Sequence, residues 1–185
     1  MNFDELMKAR PVCPCQIHDE LKSLCEMVEK ISPRTILEIG VEQAGSAYFF
    51  HHLLSPNNGT YIGIDIEPES KRRANYLTDL IPNVKSIVLV EDSRKKETED
   101  LVSKILNGVG LDFLFIDGFH SYEVAKSDYL LYSGFVRPGG IIAFHDILPR
   151  GVGSGLVWKE LKDEDSVEII RSDTGWYGIG VITKQ

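Results

Sequence analysis

Short apolar runs alternate with longer amphipathic segments along most of this chain. Five runs have the length of strands: Thr35–Ile39, Tyr61–Ile66, Val84–Val90, Leu111–Ile116 and Ile141–Phe144. Apolar residues at helical spacing fill the segments before and between them. The predicted helices are Gln16–Ile31, Ser46–Leu54, Ser70–Ile81, Lys95–Leu106 and Glu123–Val136. Strands that alternate with helices in this way predict a parallel sheet covered by helices on both faces.

Both ends of the chain depart from this alternation. After a helix near Leu156–Leu161, two further strands are predicted at Val167–Arg171 and Gly178–Thr183. The turn residues Ser172-Asp173-Thr174-Gly175 join them, so we expect an antiparallel hairpin to finish the sheet. Residues 1–15 contain prolines and show no periodicity. We therefore predict an N-terminal arm over residues 1–15 and a single domain over residues 16–185.

Composition and charge narrow the class of protein. A chain of 185 residues can form one domain with a sizeable core. Its net charge of −8 disfavours binding to phosphate backbones, so we expect no nucleic-acid partner. No apolar run approaches the ~20 residues that span a bilayer, and the first residues do not resemble a signal peptide. We expect a cytoplasmic protein that does not enter a membrane.

Cysteines and histidines often bind metals, but neither of the two groups of such residues near the start of this chain is predicted to form a metal site. The three cysteines are an odd number, which favours free thiols. Cys13 and Cys15 lie near His18, but their spacing is not that of a zinc finger. The adjacent His51 and His52 are expected to be a pair on the surface of a helix.

Polar residues follow the carboxyl ends of all five parallel strands. They are Glu38 with Gly40, Asp65, Glu91-Asp92-Ser93, Asp117-Gly118 and His145-Asp146. Ligands of open α/β sheets bind at this edge, so we expect these residues to form one site.

The turn after the first strand indicates which cofactor this site binds. A dinucleotide-binding turn needs a second glycine so that the backbone can approach the pyrophosphate. This chain has Glu42 at that position after Gly40, and a carboxylate facing a pyrophosphate is electrostatically unfavourable. Glu42 therefore favours a cofactor that has no phosphate and carries positive charge. S-adenosylmethionine (SAM) is such a cofactor.

An ordered set of motifs resembles a known family. The motifs are Glu38-Ile39-Gly40 with Gly45-Ser46, Gly63-Ile64-Asp65, Asp117-Gly118-Phe119-His120-Ser121-Tyr122, Arg137-Pro138-Gly139-Gly140 and Phe144-His145-Asp146. They resemble class I SAM-dependent methyltransferases, in particular the small-molecule O-methyltransferases that include macrocin-type and cephalosporin-hydroxylase-like proteins. The resemblance runs from about Gln16 to Thr183.

This resemblance implies a fold and an activity. The fold is a Rossmann-like α/β structure, with a doubly wound, mostly parallel seven-stranded sheet in the order 3-2-1-4-5-7-6 and a C-terminal antiparallel hairpin. The activity is transfer of a methyl group from SAM to a hydroxyl of a small-molecule acceptor, which would be a sugar, a polyol or a phenol.

The resemblance also implies cofactor-binding residues. Glu38, Gly40 and Ser46 are expected along the methionine part of SAM, where Glu42 would bind the amino group or point to solvent. Asp65 would accept hydrogen bonds from both ribose hydroxyls; its alternative role is to cap a helix.

At the adenine edge, the resemblance places Asp92 and Ser93. Asp92 would accept a hydrogen bond from the exocyclic amine of the adenine. The alternative is an exposed acidic residue in a loop, with no contact to the cofactor.

The fourth and fifth strand ends are expected to carry the chemistry. Methyl transfer needs an acceptor hydroxyl in line with the methyl group and a group that removes its proton. His120 and His145 are the candidate bases, and the alternative for His120 is to fix the loop of Asp117. In metal-dependent relatives this region holds a divalent metal; the matching positions are Asp117, His145 and Asp146, which suit Mg²⁺ or Mn²⁺. A metal-free site, in which Asp117 contacts the cofactor, is the alternative.

Two other classes of function remain open at this point: an NAD-binding Rossmann oxidoreductase and a non-catalytic SAM-binding protein. The acceptor pocket is expected to be shaped by residues 1–15, by the loop 146–155 and by a partner subunit. A homodimer is therefore a further expectation.

Overall fold

A seven-stranded sheet forms the centre of the computed structural model, which describes residues 1–12, 14–148, 153–171 and 175–185. Its strands are β1 (Thr35–Ile39), β2 (Thr60–Asp65), β3 (Lys85–Val90), β4 (Leu111–Ile116), β5 (Val136–His145), β6 (Val167–Ile169) and β7 (Ile179–Thr183). The strand order is β3-β2-β1-β4-β5-β7-β6. β1 to β5 pair in parallel, and β7 is antiparallel to both β5 and β6. The predicted fold class and strand order are confirmed.

Helices cover both faces of this sheet. The described residues form α1 (Phe3–Ala9), α2 (His18–Lys30), α3 (Gly45–Leu54), α4 (Pro68–Leu80), α5 (Lys96–Leu106), α6 (Tyr122–Tyr132) and α7 (Gly153–Leu161). Side chains of α1 to α4 pack into one apolar cluster and those of α5 to α7 into another. Successive strand residues contribute to opposite clusters, as Ile36 and Leu37 do.

β5 begins earlier than the sequence predicts. The helix expected to continue to Val136 ends at Tyr132, and Val136 is already paired with Leu111 of β4. The register shifts after Leu111, and Gly139 takes a φ of +74° in the irregular part of the strand. A partner strand therefore holds the Pro-Gly-Gly segment in the sheet, where a local pattern predicts only the end of a helix.

The N-terminal residues are part of the core. Phe3 of α1 is buried, and its ring stacks on that of Phe49 with 4.4 Å between centroids. His51 is buried as well, against the ring of Tyr61, so the expected surface pair of histidines is wrong. The reason is that α3 is buried almost all round, between α2, α4 and the sheet.

Three sequence features lie outside the described residues, wholly or in part. They are Cys13, residues 149–152 of the loop expected to shape the acceptor pocket, and residues 172–174 of the predicted hairpin turn. Among the helices that are described, none is long and apolar enough to cross a membrane.

Candidate active site

β1 ends in a tight turn whose backbone lies against the loop after β4. Gly40 has a φ of +90°, and a β-carbon there would lie 2.0 Å from the carbonyl oxygen of Asp117. Glu42 and Ala44 are also in the left-handed region, with φ of +45° and +61°. α3 begins directly after Ala44, so the turn leads into a helix N-terminus at the carboxyl edge of the sheet.

Asp65, at the end of β2, fixes the shape of this turn. Its Oδ2 accepts hydrogen bonds from the backbone N–H of Val41 at 2.8 Å and of Glu42 at 2.7 Å. Its Oδ1 accepts from the N–H of Glu67 at 2.8 Å, just before α4. Each carboxylate oxygen has two lone pairs, so these three hydrogen bonds fill Oδ2 and leave one acceptor position, on Oδ1, for a ligand.

A cavity of about 700 Å³ opens along the ends of the first four strands. This volume lies within the range of small-molecule sites. Two apolar side chains that were not among the predicted site residues, Ile66 and Phe119, also line it and are 70% and 75% exposed. Six of the predicted cofactor-binding residues line it: Gly40, Glu42, Asp65, Asp92, Ser93 and Asp117.

Glu38 lies beneath this surface and is fully buried. Its carboxylate accepts hydrogen bonds from the hydroxyls of Ser46 and Tyr61. Burial raises the pKa of Glu38 to about 8, although both hydrogen bonds act in the opposite direction. Glu38 therefore holds the first turn of α3 in place through its hydrogen bond with Ser46.

Asp92 is already paired in this structure. The guanidinium of Arg94 donates to its two oxygens at 2.9 and 2.6 Å, and the Arg94 N–H donates at 3.0 Å. These hydrogen bonds lower the pKa of Asp92 to about 2. The neighbouring Ser93 is held by its carbonyl oxygen, which accepts from the Tyr132 hydroxyl at 2.6 Å.

A second cavity, of about 220 Å³, adjoins the first. Four residues line both cavities: Gly40, Glu42, Asp117 and His120. The other described residues around the smaller cavity are Cys15, Gln16, Val41, Gln43, Gly45, Ser46, His145, Asp146 and Tyr177. The structure therefore contains two adjoining cavities at this edge of the sheet.

The predicted chemical residues come together where the two cavities meet. The Nδ1 of His145 lies 3.0 Å from Oδ1 of Asp117 and 3.5 Å from Oδ2 of Asp146. The same Asp146 oxygen lies 3.3 Å from Nδ1 of His120. Gln16 adds a contact that no sequence signal indicated, because its Nε2 donates to Oδ2 of Asp117.

His145 and His120 differ in how many carboxylates surround them and in how exposed they are. Burial alone would lower the pKa of His145, but the charges and hydrogen bonds of Asp117 and Asp146 raise it to about 10. A ring that is already protonated cannot accept a proton, which disfavours His145 as the base. The side chain of His120 is 42% exposed and contacts one carboxylate, so it is the better candidate base.

The same region contains a donor set for a metal ion. Asp117, His120 and Asp146 each offer one ligand atom, and these atoms lie within 4.8 Å of one another. This set contains His120 where the sequence suggested His145. Two carboxylates and one imidazole fit a divalent cation such as Mg²⁺ or Mn²⁺.

The sheet order, the glycine turn after β1 and the acid after β2 together define a methyltransferase-type α/β domain. Residues 37–147 match a family model described as a methyltransferase domain, so the chain belongs to this family. The chain thus has a methyltransferase domain by family, which confirms the resemblance stated from its motifs.

One curated relative is an uncharacterized protein, R132, from Acanthamoeba polyphaga mimivirus. It is 29% identical over 128 residues, which are 68% of this chain and 57% of the relative. The chain thus matches less than two thirds of that protein's length.

Solved structures share the fold over nearly the whole chain. The O-methyltransferase TomG from Streptomyces achromogenes, involved in tomaymycin synthesis and solved with SAM, has a TM-score of 0.67 at 15% identity, covering 99% of this chain and 89% of TomG. An O-methyltransferase from Bacillus cereus, solved with S-adenosylhomocysteine (SAH), has a TM-score of 0.66 at 17% identity, covering 98% and 90%. Cofactor-bound Rv0187 from MTB has a TM-score of 0.64 at 17% identity, covering 97% and 86%.

Proposed function

We propose that this protein is a SAM-dependent O-methyltransferase that methylates a hydroxyl of a small molecule. The observation that carries the proposal is the pair of adjoining cavities, with the Gly40 turn and Asp65 in one and His120 at the junction. Family membership supports methyl transfer, and two solved proteins of the same fold are O-methyltransferases bound to SAM or SAH.

The residues of the larger cavity fit SAM. Gly40 lines the cavity within the tight turn, and Asp65 keeps one acceptor position, on Oδ1, for a ribose hydroxyl. The exposed side chains of Ile66 and Phe119 offer apolar contact to the adenine. Glu42 provides the negative charge that suits a sulfonium and an ammonium. When bound, SAM supplies the methyl group.

His120 is the proposed base. It lines both cavities, so it stands where the acceptor hydroxyl would meet the methyl donor. Asp146 orients the ring through Nδ1 at 3.3 Å and stabilises the charge that the ring gains. This leaves Nε2 to take the proton from the acceptor. His145 acts as a fixed cation that holds Asp117 and Asp146 in place.

A divalent metal is the second candidate for activating the acceptor, favoured by the clustering of three ligand atoms within 4.8 Å. Asp117, His120 and Asp146 would hold it, and the ion would supply Lewis-acid chemistry. Methyl transfer after EDTA treatment distinguishes the two mechanisms. Loss of activity that Mn²⁺ restores supports the metal, whereas unchanged activity removes it.

Isothermal titration calorimetry with SAH tests the proposal as a whole. We expect binding to the wild-type protein and no binding of NADH. The absence of a binding signal with millimolar SAH contradicts the proposed function, and binding of NADH instead would favour the oxidoreductase alternative. SAH binding without transfer to any acceptor would favour a non-catalytic binding protein. A homodimer and a cytoplasmic location stay predictions.

A further inference from the structure

The junction of the two cavities is formed by the residues that line both of them: Gly40, Glu42, Asp117 and His120. A methyl group can pass from cofactor to acceptor only where the two molecules meet, so we expect the sulfur of SAM at this junction. Two of the four residues are acids. Asp117 already faces a basic group, because its Oδ1 lies 3.0 Å from Nδ1 of His145. Glu42 is the other acid.

The carboxylate of Glu42 forms no ion pair with any of the described residues. Its Oε2 lies 3.1 Å from Sγ of Cys15. Arg73 donates to the carbonyl oxygen of Glu42 and lines neither cavity. Arg94 lines the larger cavity, but its guanidinium is paired with Asp92. The negative charge of Glu42 is therefore available to a ligand.

The backbone holds Glu42 in a conformation that glutamate rarely adopts. Its φ of +45° lies in the left-handed region that favours glycine. Asp65 accepts from its N–H at 2.7 Å, and Nη1 of Arg73 donates to its carbonyl oxygen at 2.9 Å. Residues in such strained conformations cluster at ligand-binding sites. The turn therefore fixes the point from which this side chain reaches the junction.

We propose that Glu42 makes this protein bind SAM in preference to its product SAH, by attracting the positive charge on sulfur; this inference rests on the proposed function. SAM and SAH share the adenosine, the amino group and the carboxylate. They differ in the methyl group and in the charge that it gives to sulfur. A carboxylate near the sulfur attracts the sulfonium of SAM and not the neutral thioether of SAH. Loss of the methyl group therefore weakens binding and favours release of the product.

Other roles for Glu42 lead to different affinities. The amino group is present in both SAM and SAH, so a carboxylate that binds this group stabilises both complexes to the same extent. A carboxylate that points into solvent affects neither complex. The ratio of the two Kd values therefore separates recognition of the sulfonium from both of these roles.

Isothermal titration calorimetry of the full chain with SAM, SAH and sinefungin measures this ratio. We expect SAM to bind at least about tenfold more tightly than SAH. Sinefungin has an ammonium group in place of the methyl group and no sulfur, so it carries the charge without the methyl group. It should bind at least about tenfold more tightly than SAH as well. The inference is overturned if SAH binds as tightly as SAM, or if sinefungin binds no better than SAH.

Variants of Glu42 show whether this residue causes the preference. Glu42→Gln keeps the size of the side chain and removes its charge, so the Kd of SAM should rise about tenfold while that of SAH stays nearly unchanged. Glu42→Asp keeps the charge and should keep part of the preference. Glu97→Gln, at an exposed glutamate of α5, is the matched control and should bind all three ligands like the wild type.

Two results with Glu42→Gln contradict the inference. An equal rise in the Kd of SAM and SAH would assign Glu42 to the amino group, and no change in either Kd would place its carboxylate in solvent. A wild-type protein that binds none of the three ligands contradicts the proposed function instead.

The salt dependence of the preference gives an independent measurement. Glu42 is exposed, so its charge is open to screening by ions. Between about 0.1 M and about 1 M salt the Debye length falls from about 10 Å to about 3 Å. The preference of the wild type for SAM should therefore shrink over this range, whereas the ratio in Glu42→Gln should stay constant. A wild-type preference that does not change with salt would come from the methyl group and would overturn the inference.

Discussion

A β-carbon on residue 40 would lie 2.0 Å from the carbonyl oxygen of Asp117, so Gly40 and the loop after β4 meet backbone to backbone. The Gly40 N–H donates to the carbonyl of Ile64 at 2.9 Å, and the Asp117 N–H donates to that of Ile39 at 2.9 Å. The ends of β1, β2 and β4 are thereby locked together at one point. Both cavities include Gly40 and Asp117, so their shape depends on this contact.

Gly40→Ala is expected to abolish SAH binding and to destabilise the fold. The new methyl group must displace backbone atoms, and alanine is strained at a φ of +90°. Together these effects lower the free energy of unfolding by roughly 2–5 kcal/mol. Urea denaturation and calorimetry with SAH measure the two losses.

Two other glycines serve as controls for this variant. A β-carbon on Gly134 or on Gly108 would meet no atom within 4 Å, but only Gly108 has a positive φ, +83°. Gly108→Ala should therefore show the backbone strain alone, about 1–2 kcal/mol, and Gly134→Ala should show neither effect. A Gly40→Ala protein as stable as Gly134→Ala would contradict the close approach of the two backbones.

Asp65→Asn is expected to weaken SAH binding at least about tenfold, the loss of about one hydrogen bond to a charged group. The asparagine amide can present only one oxygen, so its NH₂ group must face a backbone N–H of the turn or of Glu67. Calorimetry with SAH measures the change. Asp100→Asn, at an exposed acid on α5, is the matched control and should bind SAH like the wild type. Equal affinity in both variants would remove Asp65 from the site.

The buried carboxylate of Asp128 in α6 predicts a pH-dependent stability. Burial, the largest effect, raises the pKa of Asp128 to about 6 from its usual value of 3.8. The folded protein therefore binds this proton more tightly than the unfolded chain. Its contribution is present in full below about pH 4 and is lost as the pH rises to about 6.

Asp128→Asn removes this titration, so the stability of the variant relative to the wild type should be highest at high pH. Relative to the wild type, its free energy of unfolding should rise by roughly 1–3 kcal/mol between pH 4 and pH 8. Urea denaturation of both proteins at the two pH values gives this difference directly. A difference between the proteins that is the same at pH 4 and pH 8 would mean that Asp128 does not titrate in this range.

Local patterns predicted most of the fold because each strand of the parallel sheet is a short apolar run. All six residues of β4 are buried, for instance, including Asp112, whose carboxylate accepts from the N–H of Arg34 and Thr35 and from Nε of Arg137. The start of β5 could not be predicted in this way. It depends on pairing with Leu111, which lies far away in the sequence.

The sequence predicts the site residues that directly follow strands, but it does not predict those that other segments bring to the site. Asp65, Asp117 and Asp146 stand at strand ends, so the topology brings them to one edge. Gln16 reaches Asp117 across 101 residues, from the segment before α2. Tyr177 lines the smaller cavity next to Gly178, whose N–H donates to the buried carboxylate of Glu20 in α2. Such contacts follow from tertiary packing and leave no periodic signal.

His120→Gln is expected to lower kcat and to leave SAH binding unchanged. Glutamine keeps the size and polarity of the side chain but cannot take a proton near neutral pH, so methyl transfer should slow by roughly 10²- to 10⁴-fold. His18→Gln, the same change at an exposed histidine at the start of α2, is the control and should keep wild-type activity. Initial rates with saturating SAM and calorimetry with SAH measure the two quantities.

Adding Mn²⁺ to the His120→Gln protein separates the two roles of this side chain, as a base and as a metal ligand. An excess of the ion can compensate for a lost metal ligand, but it cannot replace a lost base. A kcat within threefold of the wild type would exclude His120 both as the base and as a metal ligand.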